Sequence, residues 1–529
     1  MKLSVIPQPD FIKIGSDEPC FELTRLCEIE AEKGTDKAEA ELMRFLSAHF
    51  EGELLGTGKE RLRLLLGEPC AEKEGYRLTV ERDCITITGN DEAGVFYGVQ
   101  TLKQLLIQGS FKLPELLISD SPAFHCRGFM LDCGRYFFTK ESVMHFIDLM
   151  ALHKLNEFHW HLSDDQGFRC QLENQLLLTE IGSYRSHTLF NSIPHQGYYT
   201  KAEMKEIVDY AHERCIRVIP EIDTPGHVVS MIAAYPFLSC FDRSLTVATH
   251  WGIKNDVLCI GKESTFEFME SVFDELTEIF TDGVIHLGGD EVPTLRWKIC
   301  PHCQRRMKQE GMKDEGELHT YYLQRIASYL QKKGFEVRMW NDRKKEKMVD
   351  SSVAWQLWNG EMDKKEVADE MNNGRGFIIS AAEAYYLDLP YGQVSLKKTY
   401  EYSPFYEGIT KEGRKNILGI EGCLWTEFVP DIKKAEFCVF PRLGAISEAA
   451  WTKEEKRNYA MFCEKLNGYY NVLSYHGVEP APLKAANPKP LRKAASLLYW
   501  ERRKFCWAGL YNLTDNYLVK RKYAKEEEQ

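Results

Sequence analysis

Between residues 124 and 425 the sequence alternates short β-rich runs with longer helical patterns, and it does so eight times. The β candidates are FHCRGFMLDC (124–133), EFHWHLS (157–163), RVIPEID (217–223), VIHLGG (284–289), EVRMWN (336–341), VAWQLW (353–358), GFIISA (376–381) and LGIEGCLW (418–425). Helical candidates lie between most of them, among them 141–155, 201–214 and 317–333. Strands that alternate with helices build a parallel sheet covered by those helices, and eight such units are the arithmetic of a (β/α)8 TIM barrel. A doubly wound open sheet is the competing arrangement. It would normally use fewer strands, and no GxGxxG follows the first one. No cofactor is expected.

The 529 residues would by length alone suggest three or four domains. The strand count instead predicts a small α/β domain over 1–120, one catalytic-size barrel over 121–478, and a linker with a helical C-terminal extension over 479–529. In the first domain, RLRLLLG (61–67) and CITITG (84–89) read as strands. EAGVFYGVQTLKQLLIQG (92–109) reads as an amphipathic helix with Phe96, Val99, Leu102 and Leu106 at helical spacing. Gly94 and Gly98 should let that helix approach a neighbour closely. The aromatic and basic tail (491–513) reads as a packing appendage, and KRKYAKEEEQ (520–529) as a solvated end.

Composition excludes several classes. A net charge of -12 without a basic face argues against nucleic-acid binding. No run approaches about 18 consecutive apolar residues, so no membrane span is expected. MKLSVIPQPDFIKIGSDEP has no leader-like apolar core, so a chain that starts natively at Met1 is expected in the cytoplasm with its thiols reduced. Sixteen cysteines are too few for a disulfide scaffold of this length. The first domain and the tail offer surfaces for pairing two copies into a homodimer.

In a barrel, catalytic groups gather where strands end. Strand one ends in Asp132 and Arg135, strand two in Asp164 and Asp165, and strand three in Glu221, Asp223 and His227. Asp290 and Glu291 follow strand four, Trp340 and Trp358 close strands five and six, Tyr386 and Asp388 follow strand seven, and Trp425 and Glu427 follow strand eight. A single acid after a strand is commonly a helix N-cap. Eight ends filled with acids, indoles, Tyr, Arg and His instead describe a pocket whose apolar walls suit a sugar ring and whose acids suit an oxocarbenium-like transition state. One difficulty remains in Asp290–Glu291. Neighbours on an extended segment point to opposite sides, so they share a site only if the chain turns there, or if the nucleophile belongs to the substrate.

HLGGDEVP (286–293) resembles the signature of glycoside hydrolase family 20, the β-N-acetylhexosaminidases. RGFMLDCGRYF (127–137), NEFHWHLSDDQGFR (156–169), VIPEIDTPGH (218–227), YYLDLP (385–390) and CLWTEFV (423–429) are similar to further family blocks, in family order. The resemblance implies substrate-assisted, retaining cleavage of terminal β-linked GlcNAc or GalNAc, in which the sugar's own acetamido oxygen attacks the anomeric carbon. It implies Glu291 as general acid and base, its pKa raised by apolar surroundings and the adjacent carboxylate. Asp290 would orient the acetamido N–H, and Tyr386 would donate to the acetamido oxygen. Arg135, Asp388 and Glu427 would bind hydroxyls. Trp340, Trp358 and Trp425 would enclose the acetamido methyl and sugar face, and Asp164 with His227 would support Glu291. Arg127, Asp132 and Asp165 are expected to be structural partners. Two departures stand out: Phe168 sits where the family commonly has tryptophan, and MWNDRK (339–344) departs from its usual acidic run.

Two other readings stay in view: a carbohydrate-binding protein on a retired enzyme fold, which would have lost Asp290 or Glu291, and a metal-dependent hydrolase, which would be chelator-sensitive. For Cys300 and Cys303, in CPHC, a zinc knuckle needs a second pair, and none stands at a suitable spacing in the sequence. Loop bracing is expected there, and no metal. His159 and His161, two apart on a strand, are expected to line the barrel interior.

Overall fold

The computed structural model describes residues 4–504 apart from 53, 189–190, 343–348 and 361. The remainder of the tail, from 505 on, lies outside the described residues.

All eight expected barrel strands form, as Cys126–Asp132, Glu157–His161, Arg217–Glu221, Val284–His286, Glu336–Trp340, Ala354–Leu357, Phe377–Ile379 and Ile417–Leu424. Each pairs in parallel with the next, and the eighth closes on the first. Closure aligns the strand ends: Asp132 pairs with His161, His161 with Glu221, and Glu221 with His286. The side-chain period of two then aims His159 and His161 to one side. Both are fully buried in the barrel interior, as expected. Helices follow the sequence pattern, for example Lys140–Leu152, Lys201–His212 and Glu315–Lys332. Thr200 and Glu203 form a reciprocal capping box that fixes where the second of these begins.

The first domain is a six-stranded mixed sheet, in the order Phe11–Glu22, Lys112–Asp120, Tyr76–Val80, Cys84–Gly89, Arg61–Leu66, Glu28–Ala31. Its helix Glu92–Gln108 was expected to be amphipathic, yet every residue from Gly94 to Leu106 is buried. A helix is buried on all sides only when it is covered on all sides, and here the sheet takes one face while the helix Asp36–His49 of the same domain and the barrel helices Lys140–Leu152 and Tyr459–Tyr475 cover the others. A β-carbon at Gly94 would sit 2.3 Å from the Gly75 carbonyl oxygen, and one at Gly98 would sit 2.4 Å from an Ile87 methyl. Glycine is what lets the helix seat on the sheet. On the barrel side, Gln104 donates to the Leu152 carbonyl at 3.2 Å.

Polar struts lock the two domains together. Asp120, at the end of the last strand of the first domain, is buried and accepts from Lys154 Nζ at 2.9 Å, Tyr76 OH at 2.8 Å and Trp451 Nε1 at 2.9 Å. Lys154 follows the first barrel helix and Trp451 ends a late one, so one carboxylate ties both ends of the barrel to the sheet. Arg127, on the first barrel strand, pairs with Glu74 of the first domain at 2.8 Å. Removing one partner of a buried ion pair leaves the other charge uncompensated, at a cost of about 3–5 kcal/mol. Asp120→Ala is therefore expected to lower stability by that order. Denaturant unfolding followed by tryptophan fluorescence checks it, and an unchanged midpoint would refute the strut.

Candidate active site

The loop after the fourth barrel strand resolves the Asp290–Glu291 difficulty. The chain leaves extended geometry directly after His286: Gly288, Gly289 and Glu291 all have positive φ, at 68°, 96° and 50°. A β-carbon at Gly288 would lie 1.9 Å from Asp223 Oδ1, so only glycine fits this turn. Asp342 holds the turn from outside by accepting the Glu291 backbone N–H. Both carboxylates consequently reach one imidazole nitrogen. His227 Nε2 is 3.6 Å from Glu291 Oε2 and 4.0 Å from Asp290 Oδ2.

His227 itself sits at φ 53°, a strained conformation for a side-chain-bearing residue. Its other ring nitrogen faces Asp164 Oδ1 at 3.4 Å and Asp165 Oδ2 at 3.6 Å. Burial disfavours a charged imidazole, but these carboxylates outweigh it and hold His227 well above the ordinary histidine range. Asp164 moves the opposite way: burial pulls it up, and Arg135 and His227 pull it further down. Arg135 bridges Asp132 at 3.2 Å and Asp164 at 3.0 Å, approaches Glu427 at 3.7 Å, and lies over the Trp425 ring at 4.9 Å. Asp132 and Asp165 are thus partners of site residues, and Asp132 also accepts from Thr426.

Aromatic rings form a wall of the same mouth. Trp340 and Trp425 lie 5.6 Å apart, Tyr386 and Trp425 5.9 Å, and Trp358 stacks on Tyr386 at 6.0 Å with 5° between planes. Trp340 is fixed by its Nε1, which donates to Glu221 at 2.7 Å. Burial, with Cys423 and Asp290 nearby, raises the Tyr386 phenol well above its ordinary range, so it stays a hydrogen-bond donor. Asp388, two residues on, lies close enough to add to that effect. Asp290 Oδ1 is buried without a hydrogen-bond partner among the described residues.

The structure therefore brings Arg135, Asp164, His227, Asp290, Glu291, Trp340, Trp358, Tyr386, Asp388, Trp425 and Glu427 to one mouth. It corrects the expected protonation of Glu291. Burial raises its pKa, but the hydrogen bond and charge of His227 outweigh that and leave it below its ordinary value. Its side chain is also 35% exposed, so the expected apolar enclosure is incomplete. Asp290 carries the raised pKa instead, to about 7, through burial with Asp342 and Glu291 adding to it against His227. CPHC has company that its sequence spacing does not reveal: Cys240 and Cys259, far from any knuckle spacing, lie against it.

Some site residues escaped the sequence reading. Glu421, inside the eighth strand, binds His159 at 2.9 Å. Asn341 and Asp342 fall in the stretch read only as a departure. Asn341 Oδ1 accepts from the Trp358 backbone at 2.9 Å, so this segment positions an indole and Glu291 together. Trp500, on the helix Pro490–Lys504, packs edge-on against Phe428 at 5.0 Å and joins the Trp340–Tyr386–Trp425 cluster. Its aromatic neighbours in the tail were the available signal. Phe168 is fully buried in the main core, consistent with a packing substitution.

A closed barrel whose C-terminal mouth combines paired acids, a buried arginine and an indole-walled pocket has the architecture of a sugar-cleaving hydrolase. The chain belongs to glycosyl hydrolase family 20: the family's catalytic-domain model matches residues 124–454 and its domain 2 model matches residues 2–121. It is 36% identical to a β-hexosaminidase of Porphyromonas gingivalis over 77% of this chain and 54% of that protein, so it spans about half the length of that relative. A β-hexosaminidase of Akkermansia muciniphila is 33% identical, with 78% and 88% covered. A solved exo-β-N-acetylglucosaminidase of Vibrio harveyi, in complex with N-acetylglucosamine, superposes with a TM-score of 0.81 at 27% identity, covering 90% of this chain and 78% of that one.

The charge pattern predicts a pH profile. Between the lowered pKa of Glu291 and about 7 for Asp290, the pair holds one proton between them. A cycle that needs that proton should lose kcat/KM, which reports the free enzyme, as pH rises through about 7. In Asp290→Asn only the depressed Glu291 can hold the proton, so the alkaline limb should move to lower pH. A wild-type profile flat to strongly alkaline pH would contradict this.

Proposed function

We propose that this chain is a retaining exo-glycosidase that hydrolyses terminal non-reducing β-linked N-acetylglucosamine or N-acetylgalactosamine. One observation carries the reading: Asp290 and Glu291 converge on His227, Asp290 Oδ1 is buried without a hydrogen-bond partner among the described residues, and the Asp290 carboxylate lies near enough to Tyr386 to raise its phenol. An acetamido group fits that arrangement. Its N–H would donate to Asp290, its carbonyl oxygen would accept from Tyr386, and its methyl would lie among Trp340, Trp358 and Trp425.

Held so, the acetamido oxygen attacks the anomeric carbon from the face opposite the leaving group. As the glycosidic C–O bond breaks, Glu291 gives its proton to the departing oxygen, and Asp290 stabilises the positive charge of the oxazolinium. Glu291, now a carboxylate, takes a proton from water. The resulting oxygen nucleophile attacks the same carbon, reopens the ring and restores the acetamide. Two inversions give net retention. The sugar itself would shift the proton: it would cover the exposed edge of Glu291 and give Asp290 an N–H donor, which favours the proton on Glu291 and the charge on Asp290. Arg135, with its charge held between Asp132, Asp164 and Glu427, would grip ring hydroxyls, joined by Glu427 and Asp388.

Retention of both Asp290 and Glu291 favours turnover over sugar binding alone. Glu291→Gln is expected to cost about 10²–10⁴-fold on a glycoside with a poor leaving group, and much less on one with a very good leaving group. Equal loss on both would refute the general-acid role. Asp290→Asn is expected to cost about 10²–10³-fold on an acetamido substrate; an unchanged rate would remove its part in charge stabilisation. Aryl β-glycosides of GlcNAc, GalNAc, glucose and galactose test the whole reading, with turnover expected only for the two acetamido sugars.

A further inference from the structure

The structure gathers Cys240, Cys259, Cys300 and Cys303 into one buried cluster, outside the sugar site, whose four sulfurs all lie within 4.8 Å of one another. Cys259 Sγ is 3.7 Å from both Cys300 Sγ and Cys303 Sγ, and Cys240 Sγ is 3.9 Å from Cys303 Sγ. Four thiolates at about 2.3 Å from a tetrahedral zinc ion stand about 3.8 Å from each other. The observed separations match that edge. They do not match disulfides, whose sulfurs are about 2.05 Å apart, and every described cysteine is a free thiol.

We infer that Cys240, Cys259, Cys300 and Cys303 form a structural Zn²⁺ site that ties the loop after the third barrel strand to the segment after Asp290–Glu291. The local geometry suits thiolates. Cys300 is the residue before the helix Pro301–Glu310, and Cys303 lies in its first turn, where the helix dipole favours negative charge. On binding, the four thiol protons pass to solvent and four sulfur–zinc bonds form, with no change in oxidation state.

Other contacts converge on the same joint. Trp297 Nε1 donates to the Leu258 carbonyl at 2.9 Å, and the Leu258 N–H donates to the Pro225 carbonyl at 3.0 Å, next to Gly226 and His227. Asp256 bridges Arg243 and Arg296. A β-carbon at Gly261 would lie 2.1 Å from the His302 carbonyl carbon, so the two backbones touch. The loop between Cys240 and Cys259 also carries Trp251, which packs on Tyr136 at 5.7 Å and faces Phe428 at 6.5 Å on the rim of the sugar pocket. All four cysteines come from loops and a helix start that begin at catalytic strand ends. A closed four-sulfur site there would brace His227 and Glu291 without touching substrate.

The test is elemental analysis of the full-length protein purified in reducing, chelator-free buffer from cells grown with added zinc. About one zinc per chain is expected, as a closed four-cysteine site holds one ion. Cys303→Ser and Cys259→Ser should lose that zinc, while Cys463→Ser, an exposed cysteine outside the cluster, should keep it. A mercurial thiol reagent should release the ion from wild type into a colorimetric zinc indicator, so the assignment does not depend on any variant folding. Negligible zinc in wild type, with the four cysteines recovered by mass spectrometry as free thiols or as disulfides, would overturn it. So would zinc that survives both serine substitutions.

Discussion

The barrel mouth depends on a buried column of alternating charge whose centre is Glu221. This carboxylate is fully enclosed, yet burial is outweighed by His161, His286 and His159, so it is held well below its ordinary pKa. It contacts His161 at 2.5 Å and His159 at 3.1 Å, and accepts from Trp340 Nε1 at 2.7 Å. His161 passes the charge to Asp164 at 3.2 Å, Asp164 to Arg135 and His227, and His227 to Glu291. Below, His159 passes it to Glu421. An isolated acid at this depth would stay protonated. Alternation with cations lets Glu221 and Asp164 keep their charge, and each hydrogen bond fixes a side chain that the next one needs. The indole wall and the acid pair are therefore set by one network.

Function follows from where that network ends. His227 is its last cation and stands between two carboxylates with opposite shifts, Asp290 up and Glu291 down. Paired groups pushed apart in this way are how a site assigns acid and base roles. These shifts favour the proton on Asp290, whereas the proposed general acid is Glu291. On the proposed function, an acetamido sugar would reverse the assignment and so couple recognition of the N-acyl group to readiness of the general acid. A sugar with only a 2-hydroxyl would lack both the nucleophile and the N–H that drives the reversal.

Much of this was legible in the sequence because it rests on periodicity and on chain position. Eight strands, their order and their terminal residues follow from the alternation of β and helical runs, and the site residues follow because barrel strands end at one mouth. The rest depends on distances that no local pattern carries. Helix Glu92–Gln108 reads as amphipathic because a sequence shows one apolar stripe, and the helices that cover its other faces lie elsewhere in the chain. Glu291 reads as an acid with a raised pKa because its neighbour is an acid. The nearby imidazolium, supplied from residue 227, reverses the sign. Cys240 and Cys259 stand 60 and 41 positions before Cys300, beyond any knuckle spacing, and only the fold brings them to it. Trp500 joins the pocket wall from past a proline-rich linker for the same reason.

The central claim is that the nucleophile belongs to the substrate. Rates on aryl 2-acylamido-β-glucosides with zero to three fluorines on the acyl methyl measure this directly, because fluorine weakens the carbonyl oxygen as a nucleophile while leaving the ring and leaving group unchanged. The account predicts that kcat falls steeply with each fluorine. A kcat that stays level across the series would place the nucleophile on the protein and contradict it.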